Sequence, residues 1–361
     1  MKLIADIKLK PTEAQADSLK RTLETANAAA NFLSDLAWET QEFRRFDLQK
    51  AGYYAARDQF GLTAQMVIRI LAKVADAYKL DKKTKRSFRS LGSTAYDNRI
   101  LAYKTVDTVS IWTVDGRQTI PFVGGTRQLA LLQSRQGEAD LVYRNGEYFL
   151  YQTCDVPTPD IEPVDDFLGV DLGVVNIAVD SDATVYAGNA VNRVRHRNRR
   201  LRTKLQAKGT KAARRRLKKL SGKERRFAKH VNHEISCEIV QTAERTARGI
   251  ALEELTGIRE RIRARRGQRA VLHSWSFFQL RSFIEYKAQR AGVPLVTVDP
   301  RNTSRTCPCC GHIDKANRPN QATFLCVNCG FSGLADHVAA ENIRGAAVSR
   351  PYISTTPRVS T

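Results

Sequence analysis

The sequence predicts an α+β chain of several domains: an N-terminal β-barrel carrying a helical insert, then an α/β domain interrupted by a zinc ribbon. Three observations predict it. Hydrophobic spacing switches along the chain between helical and strand-like periods. A Pro-rich, acidic stretch holding Pro157, Pro159 and Pro163 separates two halves of different texture. Five of the seven cysteines fall within the 23 residues from Cys307 to Cys329. At about 100–200 residues per domain, 361 residues allow two or three domains. Hydrophobic residues at 42% and charged residues at 27% support a sizeable core and exclude wholesale disorder.

Lys2 to Lys10 alternates apolar and polar residues and reads as a strand, which Pro11-Thr12 breaks. Thr12 with Gln15 forms a capping box that opens a helix toward Thr40, with Leu19, Leu23, Leu33 and Ala37 at helical spacing. Helical stretches over Asp47–Gln59 and Thr63–Leu80 follow, divided by Gly61, so residues 11–85 form a helical insert. From Ser90 to Pro157 short runs replace them: Thr108–Val114, Thr119–Val123, Ala139–Tyr143 and Glu147–Thr153. Asp115-Gly116, Gly124-Gly125 and Asn145-Gly146 punctuate these runs, and Asn145-Gly146 is a strong hairpin signal. Residues 1–10 and 86–160 are therefore read as a small antiparallel barrel.

The second domain begins near Asp166 and takes in 166–302 and 331–347, around a ribbon at 303–330. Phe167–Asp171 is an apolar strand, and Asn176–Asp180 with Thr184–Ala187 is a hairpin across Ser181-Asp182. A basic helical stretch over 193–229 leads into an amphipathic helix ending near Arg248. Gly249–Leu255 and Pro294–Val298 read as strands, Ser274–Ala291 and Asp336–Ala347 as helices. Residues 348–361 are Ser/Thr/Pro-rich and read as a mobile tail.

Charge narrows the partner. Lys plus Arg number 59 against 37 Asp plus Glu, a net +22 that points to a polyanion. No run approaches the ~20 apolar residues of a spanning helix. The N-terminus mixes Lys and Asp into its apolar residues and lacks the apolar core of a secretory signal. The expectation is a soluble, cytoplasmic protein with no membrane partner. Between Arg193 and Lys229 there are 18 Lys/Arg and one acid, Glu224. An ordinary charge run is a solvated face, but this density repels itself unless an anion neutralises it. Arg193, Arg195, Arg197, Arg199, Arg200, Arg202, Lys204, Arg214, Arg215, Arg216, Lys218 and Lys219 are the candidate phosphate contacts. Arg259–Arg269 is a second basic run. Charge alone does not separate RNA from DNA.

Cys307, Cys310, Cys326 and Cys329 have the spacing C-x2-C-x15-C-x2-C. Each pair presents two sulfurs from one tight turn, and two pairs complete a tetrahedral shell suited to Zn2+. Gly311 and Gly330 sit just after the pairs, where such turns favour positive φ. Four sulfurs close the shell, so the metal is structural. Cys309 is left over, and Cys154 and Cys237 read as small core residues.

Asp171 ends its strand, Glu253 and Glu254 lie in another, and Asp336 opens the last helix. Carboxylates brought together from separate elements can hold a pair of Mg2+ ions for phosphodiester hydrolysis. Each also has an ordinary explanation: a turn acid, a surface strand residue, a helix N-cap. Spacing does not show that they converge.

The order of these pieces resembles TnpB, the family of transposon-encoded RNA-guided DNA nucleases related to the type V CRISPR effectors. Leu168-Gly-Val-Asp-Leu-Gly173 is similar to the family's first RuvC motif and Ile250-Ala-Leu-Glu-Glu-Leu255 to its second. Asp336-His-Val-Ala-Ala-Glu-Asn-Ile343, directly after the ribbon, is similar to the third, and Thr303-Ser304 also matches. The third motif commonly has Asn where Val338 stands, a position that is not a metal ligand in the pattern. The resemblance implies an RNase H-like (RuvC) α/β nuclease domain with Asp171, Glu253 and Asp336 as catalytic Mg2+ ligands. It implies that the barrel and helical recognition insert grip a guide RNA derived from the transposon end. The expected activity is cutting of both strands of a DNA target, chosen by base pairing next to a short adjacent motif. Competing readings are a guided DNA-binding repressor that does not cut, and a protein-guided RuvC-type nuclease or transposase.

Overall fold

Strand β1, Lys2–Leu9, buries Ala5, Ile7 and Leu9 through its apolar alternation. The break at Pro11-Thr12 starts helix α1, Glu13–Thr40, on a complete capping box. Gln15 N donates to the Thr12 hydroxyl at 3.3 Å, and Thr12 N donates to the Gln15 side chain at 3.1 Å. Helix α2, Arg45–Phe60, ends on Gly61 at φ 60°, and α3, Ala64–Leu80, is capped by the Thr63 hydroxyl. The computed structural model describes residues 1–173, 175–254 and 277–349. It divides into two compact units, Met1–Pro157 and Thr158–Thr361.

In the first unit the chain continues through β2 (Thr94–Tyr96), β3 (Leu101–Tyr103), β4 (Thr108–Thr113), β5 (Gly116–Val123), α4 (Thr126–Leu131), β6 (Arg135–Arg144) and β7 (Glu147–Asp155). The strands form one seven-stranded antiparallel sheet in the order β2-β6-β7-β1-β5-β4-β3. Its edge strands β2 and β3 are joined by residues 97–100 alone, so the sheet must curl. The Tyr96 hydroxyl on β2 donates to the Trp112 carbonyl on β4 at 3.0 Å, and the Tyr103 hydroxyl on β3 donates to Gln152 on β7 at 3.2 Å. Among the described residues no ladder joins β2 to β3, so the expected barrel is near-closed rather than closed. Asn145 and Gly146 sit at φ 55° and 87°, the paired left-handed residues of a type I′ hairpin, and set the Arg144–Glu147 register.

The second unit comprises β8 (Phe167–Asp171), β9 (Asn176–Asp180), β10 (Val185–Ala187), α5 (Asn189–Lys208), α6 (Lys211–Arg245), β11 (Gly249–Glu253), α7 (Phe277–Ala291), β12 (Leu295–Val298), the short hairpin strands β13 (Thr323–Leu325) and β14 (Ser332–Leu334), and α8 (Ala335–Val348). Its five-stranded sheet has the order β10-β9-β8-β11-β12. Strands β8, β9 and β10 are antiparallel neighbours, whereas β8, β11 and β12 run parallel. Strands β8 and β11 are covered on both faces and therefore read as continuous apolar runs. Leu168, Val170, Ile250 and Leu252 pack with α6 and α7 through Ile239 and Ile284. Phe167, Ala251 and Val298 pack under α8 through Ile343 and Ala347.

Two expectations are corrected. The helical boundary near Lys229 does not exist: the chain turns at Gly209, φ 61°, and α6 then runs unbroken for 35 residues. Cys237 is exposed on α6 rather than in the core, whereas Cys154 is buried. Leu255, the Arg259–Arg269 run, the start of the expected Ser274 helix and the tail from Arg350 onward lie outside the described residues.

Candidate carboxylate site and cysteine cluster

Strands β8 and β11 are adjacent and parallel, with Leu252 in register with Val170. The next residues, Glu253 and Asp171, therefore end neighbouring strands about 5 Å apart. In open α/β sheets, ligand sites form beyond the carboxyl ends of parallel strands. Side-chain alternation puts Gly169, Asp171, Ala251 and Glu253 on the face under α8. At Gly169 there is no room for a side chain, because a Cβ would lie 2.1 Å from the Ala340 carbonyl and 2.6 Å from the Arg344 amide. That close approach anchors α8, whose first turn carries Asp336. Leu334, not Asp336, is the N-cap, so the capping explanation for Asp336 does not hold.

Asp171 senses the other two carboxylates. Burial pushes the Asp171 carboxyl up to about 7, and the charges of Glu253 and Asp336 push the same way, against Arg318. Burial also raises Glu253, opposed by a hydrogen bond from the Thr303 hydroxyl and by Arg318. Thr303 is itself held by Asn342 of α8, whose amide donates to the Thr303 and Thr306 carbonyls at 2.7 and 2.8 Å. Asp336 accepts from the Asn176 amide at 2.9 Å and from the Arg318 guanidinium at 3.3 Å. Glu254 turns the other way and forms a two-point pair with Arg281 at 2.9 and 3.1 Å.

Such a cluster suits hard cations, which take oxygen ligands. Among the described residues, the three carboxylates are not a set whose ligand atoms all lie within 4.8 Å of one another. Two ions ~3.5–4 Å apart, each bound at ~2.1 Å, tolerate outer oxygens spread over about 8 Å. A wider set than a single-ion shell is compatible with a pair of ions.

The cysteine cluster is tight. Sγ atoms of Cys307, Cys310, Cys326 and Cys329 all lie within 4.8 Å of one another. Cys307–Cys329 and Cys310–Cys326 are each 3.6 Å apart. Tetrahedral Zn–S bonds of ~2.3 Å require edges of about 3.8 Å, so the quartet fits structural zinc. Its two turns repeat one geometry: Gly311 N donates to Cys307 O at 2.9 Å and Gly330 N to Cys326 O at 3.0 Å, with both glycines at positive φ. Donors from the His312 backbone and the Asn328 side chain favour the Cys310 thiolate, lowering its pKa to about 6. Cys309 is exposed and is not in the quartet.

The basic candidates divide. Arg193, Arg197, Arg199, Arg200 and Lys204 on α5 are exposed, as are Arg214, Arg215, Arg216, Lys218 and Lys219 on α6. Arg202 instead pairs with Glu224 at 2.6 Å, where Asn198 also donates at 2.9 Å. Arg195 is partly buried, and that burial lowers its pKa against the pull of Glu224. These two therefore belong to the seam between the helices. Arg193, Arg197, Arg200 and Lys204 border an open groove of about 520 Å3. Sequence reasoning missed Arg318 and Asn176, which carry no signal until the fold brings them to Asp336.

Fold and site together define a class: an α+β protein with a near-closed antiparallel sheet, a mixed sheet with carboxylates at its strand ends, and a four-cysteine module. Residues 151–256 match the family model described as "Probable transposase" (OrfB_IS605), and residues 277–343 match "Cas12f1-like, TNB domain". Over these two stretches the chain is similar to the TnpB/OrfB family and to the related Cas12f proteins. It is 39% identical over 128 residues to a CRISPR-associated endodeoxyribonuclease Cas12f1 of Sulfoacidibacillus thermotolerans, covering 35% of this chain and 29% of that protein. It is 35% identical over 128 residues to the TnpB-like protein MJ0751 of Methanocaldococcus jannaschii, covering 35% and 45%. Against the putative RNA-guided DNA endonuclease InsQ of Escherichia coli K12 it is 26% identical over 219 residues, covering 55% and 53%. The chain thus spans about half or less of the length of these relatives. A solved Cas12f1–sgRNA–target DNA complex shares the fold at TM-score 0.60 and 16% identity, covering 90% of this chain and 82% of that one. Among the described residues, no helix is long and apolar enough to cross a membrane.

Proposed function

We propose that the protein is an RNA-guided, metal-dependent endonuclease for double-stranded DNA with an RNase H-like (RuvC) site. The observation that carries this is the meeting of Asp171 and Glu253 at adjoining parallel strand ends, with Asp336 close enough to raise the Asp171 pKa. Mutual repulsion in a half-buried pocket is what divalent cations relieve. Asp171, Glu253 and Asp336 would hold Mg2+, which when bound supplies nucleophile activation and charge neutralisation at the scissile phosphate. Thr303 orients Glu253, Asn176 orients Asp336, and Gly169 sets the height of α8. The exposed cations of α5 and α6 take RNA or heteroduplex backbone, and the zinc module is structural. The proposed domains are the barrel at 1–10 and 86–160, the recognition insert at 11–85, the nuclease domain at 166–302 and 331–347, and the ribbon at 303–330. The guide would derive from the transposon end, and the protein would act in the cytoplasm of a prokaryote. A binder that does not cut is disfavoured, because all three carboxylates are present.

The test is cleavage by the purified protein with its co-purified RNA. Asp171→Ala is expected to abolish cutting and keep RNA-dependent DNA binding. Cutting that needs no RNA rejects guided recognition, and undiminished cutting by Asp171→Ala removes that residue from the catalytic set.

A further inference from the structure

Beside the carboxylates the surface changes character. Val175, Val185 and Leu334 are 51, 45 and 62% exposed. They rim a cavity of about 210 Å3 whose lining includes Asp336 and His337. Single exposed apolar residues need no explanation, whereas these three converge on one concavity. The walls come from the sheet-edge strand β10, from β9, from Gln321 and Ala322 before β13, and from the junction of β14 with α8, and Asp336 is common to the cavity and the carboxylate site.

Its chemistry excludes a phosphate. Among the described residues no Lys or Arg lines it, and Asp336 repels an anion. Its volume is below the ~300 Å3 at which pockets for drug-sized ligands begin, so it takes one ring-sized group. That group is uncharged, has apolar faces, and meets polar side chains at the rim, where Gln321 and His337 sit. A nucleobase has this chemistry, since unpaired bases pack their faces on apolar surface and turn their edges to polar groups. A base in a duplex is paired and stacked and cannot enter.

We infer that this slot holds the base of the nucleotide next to the bond to be cut, on a single-stranded segment of DNA. This rests on the nuclease reading above. Val185 and Leu334 are positioning residues: they hold the base, and the base sets which phosphate lies over Asp171, Glu253 and Asp336. The basic surface supplies affinity without register, and the slot supplies register.

The test uses the full-length protein with its co-purified RNA and Ca2+ in place of Mg2+. Short single-stranded DNAs carry a photoreactive thymine analogue at each position in turn, and cross-linked peptides are mapped by mass spectrometry. One position should cross-link to peptides containing Val185 or Leu334. Val185→Gln and Leu334→Gln should each cut that yield at least fivefold. In Mg2+ both should raise KM at least fivefold with kcat changed less than twofold. An abasic residue at that position should weaken binding to wild type as much as either variant does. Both substitutions are at exposed positions, and an unchanged melting temperature qualifies each variant independently. Cross-links that map elsewhere, with both variants cutting like wild type, overturn the slot and leave the nuclease reading intact. Cross-links in the slot from a wild-type protein that never cuts overturn the nuclease reading and leave the slot. If the variants instead dissociate a wild-type dimer in sedimentation and the cross-link is absent, the face belongs to a second copy and the proposal fails.

Discussion

The cysteine cluster and the carboxylate site lie in the same unit and are built in opposite ways. The four sulfurs come from two turns, and their ligand atoms already stand within 4.8 Å of one another. The three carboxylates come from two strands and a helix and are spread more widely, and burial with the charges of Glu253 and Asp336 raises the pKa of Asp171. The first arrangement encloses its ion and contributes folding energy. The second leaves Asp171 with a raised pKa.

The largest expected effect breaks the closed shell. Cys326 is 2% exposed among Phe324, Ala335 and Val338, and structural zinc in comparable sites binds with about 10–16 kcal/mol. Cys326→Ser should abolish stoichiometric zinc in metal analysis and unfold the module. Full zinc retention by this variant would contradict the quartet.

Next is the support of the open site. Gly169→Ala forces a Cβ into the backbone of α8. It should cost about 1–3 kcal/mol in a denaturant melt. Because Asp336 moves with α8, cleavage should fall more than 100-fold while zinc stays bound. Wild-type cutting by this variant would show that the height of α8 does not set the site.

The repulsion itself has a pH signature. Asp171 has its folded pKa raised to about 7 from an ordinary 3.8, so the folded state binds more protons between those values. Its contribution to stability is fully present below about pH 4 and is lost as pH rises through about 7. In magnesium-free buffer with zinc retained, Asp171→Asn should be more stable than wild type at pH 8, on the order of 1–3 kcal/mol. The two should converge at pH 4, and Mg2+ should reverse the order at pH 8. Equal pH profiles with and without the substitution would mean that the carboxylates are not in conflict.

The smallest effect separates neighbours. Glu253→Gln should lower cleavage at least 100-fold. Glu254→Gln, which breaks a partly exposed pair with Arg281, should change it less than threefold and shift stability by up to ~1 kcal/mol. Equal losses in the two variants would erase the distinction between them.

Legibility in the sequence followed how local each feature is. The quartet is legible because each pair sits in one turn. Strands β8 and β9 have readable bounds because their apolar runs end at polar or glycine-rich turns. Strands β2 and β3, three residues each, owe their existence to pairing with distant partners. The helical break at Gly209 hid within a charge run that reads as continuous. Spacing leaves Glu253 and Glu254 equivalent, whereas pleat alternation in β11 sends one toward Asp171 and the other to Arg281. Arg318, Asn176 and the apolar slot are products of tertiary approach and have no local pattern.

The central claim is that Asp171, Glu253 and Asp336 share divalent ions. Crystals soaked in Mn2+, with anomalous difference maps collected at the manganese edge, test it most directly. The expected result is density between these three side chains, retained in Glu254→Gln and absent in Asp171→Ala. An empty pocket in crystals of protein that cuts DNA in the same Mn2+ buffer would contradict it.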